Sequence, residues 1–121
     1  MRVMVLVKAT TDSEQGILPT LELMQAMGQF NDELIKAGIL KEGECDGLKP
    51  SSHGKRVMFD GSSRTVNDGP FTPVGDQVAG FWIWTVKDMD EAVTWVKRCP
   101  NPMLGSSEIE IRPFYEMADF Q

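Results

Sequence analysis

The chain predicts an α+β domain of ferredoxin-like type: a split βαβ with an added hairpin, one antiparallel sheet and two helices on one face of it. Three observations carry this. Strand-like and helix-like runs follow in the order strand, helix, strand, hairpin, strand, helix, strand. Each helix-like run carries an apolar stripe at helical spacing, and helices that return to one sheet solve that order most simply. Turn chemistry at Asp60-Gly-Ser-Ser63 joins two short runs into a hairpin.

Residues 2–8 are a mostly β-branched apolar run ended by Thr10, Thr11 and Asp12, which predicts a buried strand. Pro19-Thr20 with Glu22 opens a helix whose stripe is Leu23, Met27, Phe30, Leu34 and Ile35, and Gly38 closes it. Gly28 within that helix costs up to ~1 kcal/mol of propensity, so a close approach of backbone to sheet is expected there. A second strand is placed over residues 39–48, with Gly43 marking a bulge. Lys49-Pro-Ser-Ser-His-Gly54 is a turn, and Lys55–Phe59 pairs with Arg64–Val66 across the hairpin. After a polar loop at 72–78, Ala79–Val86 is the strongest strand. Asp88 then caps a helix carrying Met89, Ala92, Val93 and Val96, and Cys99-Pro100 ends it. Glu108–Arg112 alternates strictly and predicts a last, half-buried strand.

With 121 residues, the chain buries roughly two thirds of its unfolded surface, enough for one core, so a single domain over 1–121 is expected. No apolar run approaches the ~20 residues that cross a bilayer, and Met1–Val7 lacks the small-residue cleavage site of a signal peptide. The net charge of −6 repels phosphate backbones, and the cations form no stripe, which excludes nucleic acid as an expected partner. Cys45 and Cys99 match neither a zinc spacing nor a disulfide framework, so they read as reduced, apolar-behaving thiols of a cytoplasmic protein with no metal or cofactor.

Phe81 and Ile83 share one parity of the strongest strand, Trp82 and Trp84 the other. One pair enters the core; the other faces the open side of the sheet or a pocket wall. An apolar open face calls for a partner, so a homodimer packing sheet on sheet is expected, the two sheets curving into a dimeric α+β barrel.

Asp68 leads the candidates for chemistry because it stands between a strand and Pro70, which stops ladder pairing. Beneath aromatic side chains it would be desolvated and serve as general acid or base. In the alternative reading, it holds the turn through following backbone N–H groups, with Gly69 and Pro70 supplying turn geometry. His53, an imidazole after Ser51 and Ser52, is either a solvated loop residue or an acid–base partner of Asp68. Phe71 and Trp82 are candidate pocket walls, and Arg56, Arg64 or Arg112 would orient an anionic substrate, or else pair with nearby acids. Glu42 and Glu44 read as a solvent-facing row, and the Gly75-Asp76 loop lacks the glycines and Lys of a phosphate cradle.

The segment Asp68-Gly-Pro-Phe71, with Val3–Ala9, Phe30–Leu34, Ala37-Gly38, Gly47-Leu48, Pro50–Ser52, Ala79–Trp82, Glu91-Ala92, Trp95, Arg98–Pro100 and Glu108–Pro113, resembles the YCII-related family in its Asp-Gly-Pro-Phe branch. The resemblance spans almost the entire chain. It implies a dimeric α+β barrel with a pocket in each protomer near the sheet and dimer boundary. Some relatives resemble muconolactone isomerases and dehydratase-like proteins, and others lie beside genes for extracytoplasmic-function sigma factors. Of the Asp–His pair proposed for that family, the Asp carries over to Asp68; the His does not carry over to His53. After Phe71 this chain reads Thr72-Pro-Val-Gly-Asp76, where relatives have an acidic, Lys-containing segment. Two functions follow: a lyase- or isomerase-like enzyme centred on Asp68, or a noncatalytic dimer that binds a metabolite or partner protein in regulation.

Overall fold

Strand β1, Arg2–Lys8, has the alternation that a sheet with one covered face demands: Val3, Val5 and Val7 are buried while Met4 and Leu6 are half-exposed. In the computed structural model, which describes all residues from Met1 to Gln121, β1 is one of two central strands of a four-stranded antiparallel sheet. A four-residue helix, α1 (Thr11–Glu14), follows; Thr10 caps it reciprocally with Ser13. The polar Thr10–Asp12 cluster reads only as a strand end in the sequence, although it also contains a helix start.

Helix α2 runs Leu21–Lys36 with Thr20 as its cap, its hydroxyl oxygen accepting from the Leu23 N–H at 3.1 Å. Phe30 and Leu34 are buried as expected, but Ile35 is exposed and does not belong to the core stripe. Gly28 makes no close backbone approach: a Cβ built there meets nothing within 4 Å. The glycine instead faces open space where the first half of the helix stands over a cavity.

Strand β2, Leu40–Gly47, breaks register between Leu40 and Cys45, where Gly43 adopts φ +87°; this is the expected bulge, at a conformation that side chains with a Cβ rarely adopt. Strands β3 (Lys55–Asp60) and β4 (Ser63–Asp68) form the expected hairpin as a separate two-stranded sheet, every residue of which is exposed. Strand β5 (Val78–Thr85), helix α3 (Met89–Arg98, capped by Asp88) and strand β6 (Ile109–Pro113) complete the fold. The sheet order is β2-β5-β1-β6.

The register fixes which aromatic pair is core. Val5 opposes Trp82 and Val3 opposes Trp84, so both tryptophans share the covered face with the buried valines. Phe30 of α2 meets Trp82 edge-on at 6.2 Å between ring centroids and lies 6.3 Å from Trp95 of α3, so both helices pack on that face. Leu34, Ala92, Ile109 and Ile111 join the same cluster. Phe81 and Ile83, opposite Leu6 and Met4, lie on the other face and are half-buried. No helix is long and apolar enough to cross a membrane.

Candidate functional site

The first half of α2 does not close onto the sheet. Between them lies a cavity of about 860 Å³, within the size range of small-molecule sites. Leu23, Met24, Met27 and Gly28 form its helical wall, and Val7, Ala79 and Trp82 belong to its sheet wall. The α1–α2 connection supplies Ile17 and Leu18, and the segment after α3 supplies Met103 and Leu104. Leu18, Met24 and Leu104 are strongly exposed, so the cavity has an apolar rim facing solvent. Its polar groups are few. Asn31 Oδ1 accepts from Trp82 Nε1 at 2.8 Å, which satisfies the indole donor and holds its ring as a wall. Asp12, Asp46, Lys49 and His53 also line the space.

Cys45 lines it as well, with its thiol pushed up by burial and, secondarily, by the neighbouring Asp46 carboxylate. Cys99, half-buried beside the core, is pushed up to about 11 by burial. Both cysteines are free thiols.

A second, shallower depression of about 480 Å³ adjoins the first, and Leu48, Lys49, Pro50 and His53 line both. Arg56 and Phe71 belong to the second: the guanidinium carbon stands 4.0 Å from the Phe71 ring centroid, a cation–π stack. Arg56 Nη2 also donates to Gln77 Oε1 at 3.3 Å, and Gln77 Nε2 donates to the Pro73 carbonyl at 3.1 Å. Gln77 is buried, and this pairing satisfies it.

The Asp-Gly-Pro-Phe segment braces this wall. A Cβ at Gly69 would stand 1.8 Å from the Ser51 carbonyl oxygen, so only glycine fits there. The Gly69 N–H donates to the Gly54 carbonyl at 3.1 Å, and the Phe71 N–H to Ser51 Oγ at 3.0 Å. Ser51 is gripped from its other side: its N–H donates to Glu14 Oε1 at 2.9 Å and its hydroxyl donates to Glu14 Oε2. Charge-assisted bonds of this kind are stronger than neutral ones. The helical turn Ser51–His53 is thereby clamped between α1 and the segment leaving β4.

The residues put forward by sequence therefore separate. His53, Trp82, Phe71 and Arg56 surround the two concavities. Asp68 does not: its carboxylate is exposed on the hairpin, pairs with Lys55 at 2.5 Å and lines neither cavity, so the expected desolvation beneath aromatics is absent. Arg64 lies at the hairpin tip, donating to the Gly61 and Ser63 carbonyls at 2.8 Å and stacking over Phe59. Arg112 pairs with Glu110 at 3.2 Å on β6, again away from the cavity. Sequence reasoning missed Glu14, Asn31, Cys45, Lys49 and Gln77 as site residues. Asn31 had a visible signal: it continues Leu23 and Met27 at four-residue spacing, a polar interruption of an apolar stripe.

The YCII-related domain matches residues 1–115. The chain belongs to that family. The chain is similar to an uncharacterized protein of Rhizobium meliloti (strain 1021), 24% identical over 91 residues, which covers 75% of this chain and 72% of the relative. In this YCII-related protein, the family's domain thus includes every element that builds the two concavities.

Proposed function

We propose that this YCII-related protein is a small-molecule-binding protein whose ligand lies under the first half of α2. The observation that carries the reading is the apolar-walled cavity of about 860 Å³ with its exposed apolar rim. In this reading Asp68 pairs with Lys55 at the end of β4 and does not act on the ligand. A second reading, a lyase- or isomerase-like proton transfer, would rest on His53, because it lines both concavities.

The test is a titration with the neutral fluorophore N-phenyl-1-naphthylamine, for the wild type and for Gly28→Leu, which grows a side chain into the open space. Enhancement in the wild type that Gly28→Leu abolishes at unchanged melting temperature supports the reading. Equal enhancement in both overturns it.

The protein is further proposed to be a cytoplasmic homodimer of the Asp-Gly-Pro-Phe branch, ferredoxin-like in topology and closing into a dimeric barrel. The antiparallel order β2-β5-β1-β6, with helices after β1 and β5, supports the topology. Met4, Leu6, Phe81 and Ile83, on the face away from both helices, support the dimer, and free Cys45 and Cys99 support the compartment. Light scattering is expected to give twice the chain mass, and a monomer mass at micromolar concentration removes the dimer.

A further inference from the structure

Resting on that reading, we infer that the ligand is an amphipathic anion: an apolar body in the larger cavity and a carboxylate-type head in the shallower depression beside it. The two spaces adjoin, sharing Leu48, Lys49, Pro50 and His53 as lining, so one molecule that reaches across these residues would occupy both. Their linings differ in kind. Half of the residues lining the larger are hydrophobic; the shallower has only three hydrophobic residues among its 11 lining residues, yet includes Lys49, Lys55, Arg56 and His53 and no Asp or Glu. In a chain of net charge −6 with 12 Lys and Arg against 18 Asp and Glu, three cations around one depression are a local reversal of sign.

The four cationic or titratable groups are not equally free. Lys55 is held by Asp68, and Arg56 by Gln77 and the Phe71 ring. Lys49 has no ion-pair partner, and no side-chain hydrogen bond engages Lys49 or His53, which both stand on the shared wall. An anionic head placed there would receive their donors directly, with Arg56 held in the same lining by Gln77 and Phe71. Asp12 and Asp46 line the larger cavity and not the shallower depression, which favours the shallow end as the place for negative charge.

The experiment is calorimetric titration of the full-length protein with decanoate, decan-1-ol and decylammonium, which share one apolar body and differ in the head. At low ionic strength decanoate is expected to bind about fivefold more tightly than decanol, as an exposed ion pair allows, and the margin is expected to shrink in ~0.5 M salt. The double variant Lys49→Gln/His53→Gln is expected to lose the decanoate margin over decan-1-ol, with both ligands titrated into the same variant. Equal affinity for acid and alcohol, a preference for decylammonium, or an acid margin that survives in the double variant overturns the anionic head and leaves the apolar cavity standing. Binding of none of the three overturns the cavity reading and this inference together.

Discussion

Replacing Gly69 with Ala places a methyl carbon 1.8 Å from the Ser51 carbonyl oxygen, 2.7 Å from the Ser51 carbonyl carbon and 3.3 Å from the Ser52 nitrogen. Carbon–oxygen contacts relax to about 3.3 Å, so the two segments must part by about 1.5 Å. None of the three atoms is a side chain that swings aside; the backbone itself moves. Two bonds span the gap, Gly69 N–H to Gly54 O and Phe71 N–H to Ser51 Oγ. At about 1 kcal/mol each, with part of the charge-assisted Ser51–Glu14 pair at about 1.5–3 kcal/mol, their loss comes to about 2–4 kcal/mol. Urea denaturation reads the global part. Hydrogen exchange reads the local part, as lost protection of the Phe71 amide with the amides of β5 unchanged. Gly75→Ala is the control, since a Cβ there meets nothing within 4 Å. A Gly69→Ala protein with wild-type denaturation midpoint and wild-type Phe71 protection would refute the brace.

Asp68→Asn removes one partner of an exposed ion pair, so stability is expected to fall by no more than about 1 kcal/mol and fluorophore affinity to stay at the wild-type value; a large loss of binding in a folded variant would return Asp68 to the site. Gly28→Ala puts a methyl group into open space on a helix and is expected to raise stability by about 0.5–1 kcal/mol in thermal or urea unfolding. A decrease would mean that the first half of α2 packs more tightly than described. For Cys99 the folded thiol lies above its ordinary value, so its stabilising share is fully present below the ordinary thiol range and is lost as pH rises toward about 11. Wild type is therefore expected to lose more stability than Cys99→Ala between pH 8 and 10.5 by urea unfolding, and parallel curves would contradict that.

The fold was legible because period and punctuation agree along most of the chain. Val3, Val5 and Val7 alternate on β1, Thr20 and Asp88 sit at real helix caps, and Gly43 sits at a real bulge. Parity alone could not say which aromatic pair of β5 was core; the pairing of Val3 with Trp84 decides it, and pairing is a property of two strands. Ile35 misled because a stripe read from sequence is wider than the face the sheet covers. Gly28 misled for a related reason: a glycine in a helix signals absent side-chain volume, which serves a cavity as well as a close approach. The site was less legible. Glu14 and Ser51 are 37 positions apart, and their bond depends on how α1 folds back on the turn at Ser51–His53.

Asp68-Gly-Pro-Phe71 drew attention as a carboxylate in a special place, and its structure divides that attention differently among the four residues. The glycine is there for want of room against Ser51; the Phe for a ring that carries Arg56 and a backbone N–H that holds Ser51. Asp68 ends a hairpin whose every residue is exposed, and its one ion pair is cross-strand, with Lys55 directly opposite in register. An isolated two-stranded hairpin is marginal in water, so a cross-strand pair at its base contributes where the strands join the body of the protein. The same pair takes up Lys55, leaving Lys49 and His53 as the unengaged donors on the shared wall. Asp68 thus bears on the site through which cations it leaves free, and a substitution there is read most directly in the charge preference for the ligand head rather than in proton transfer.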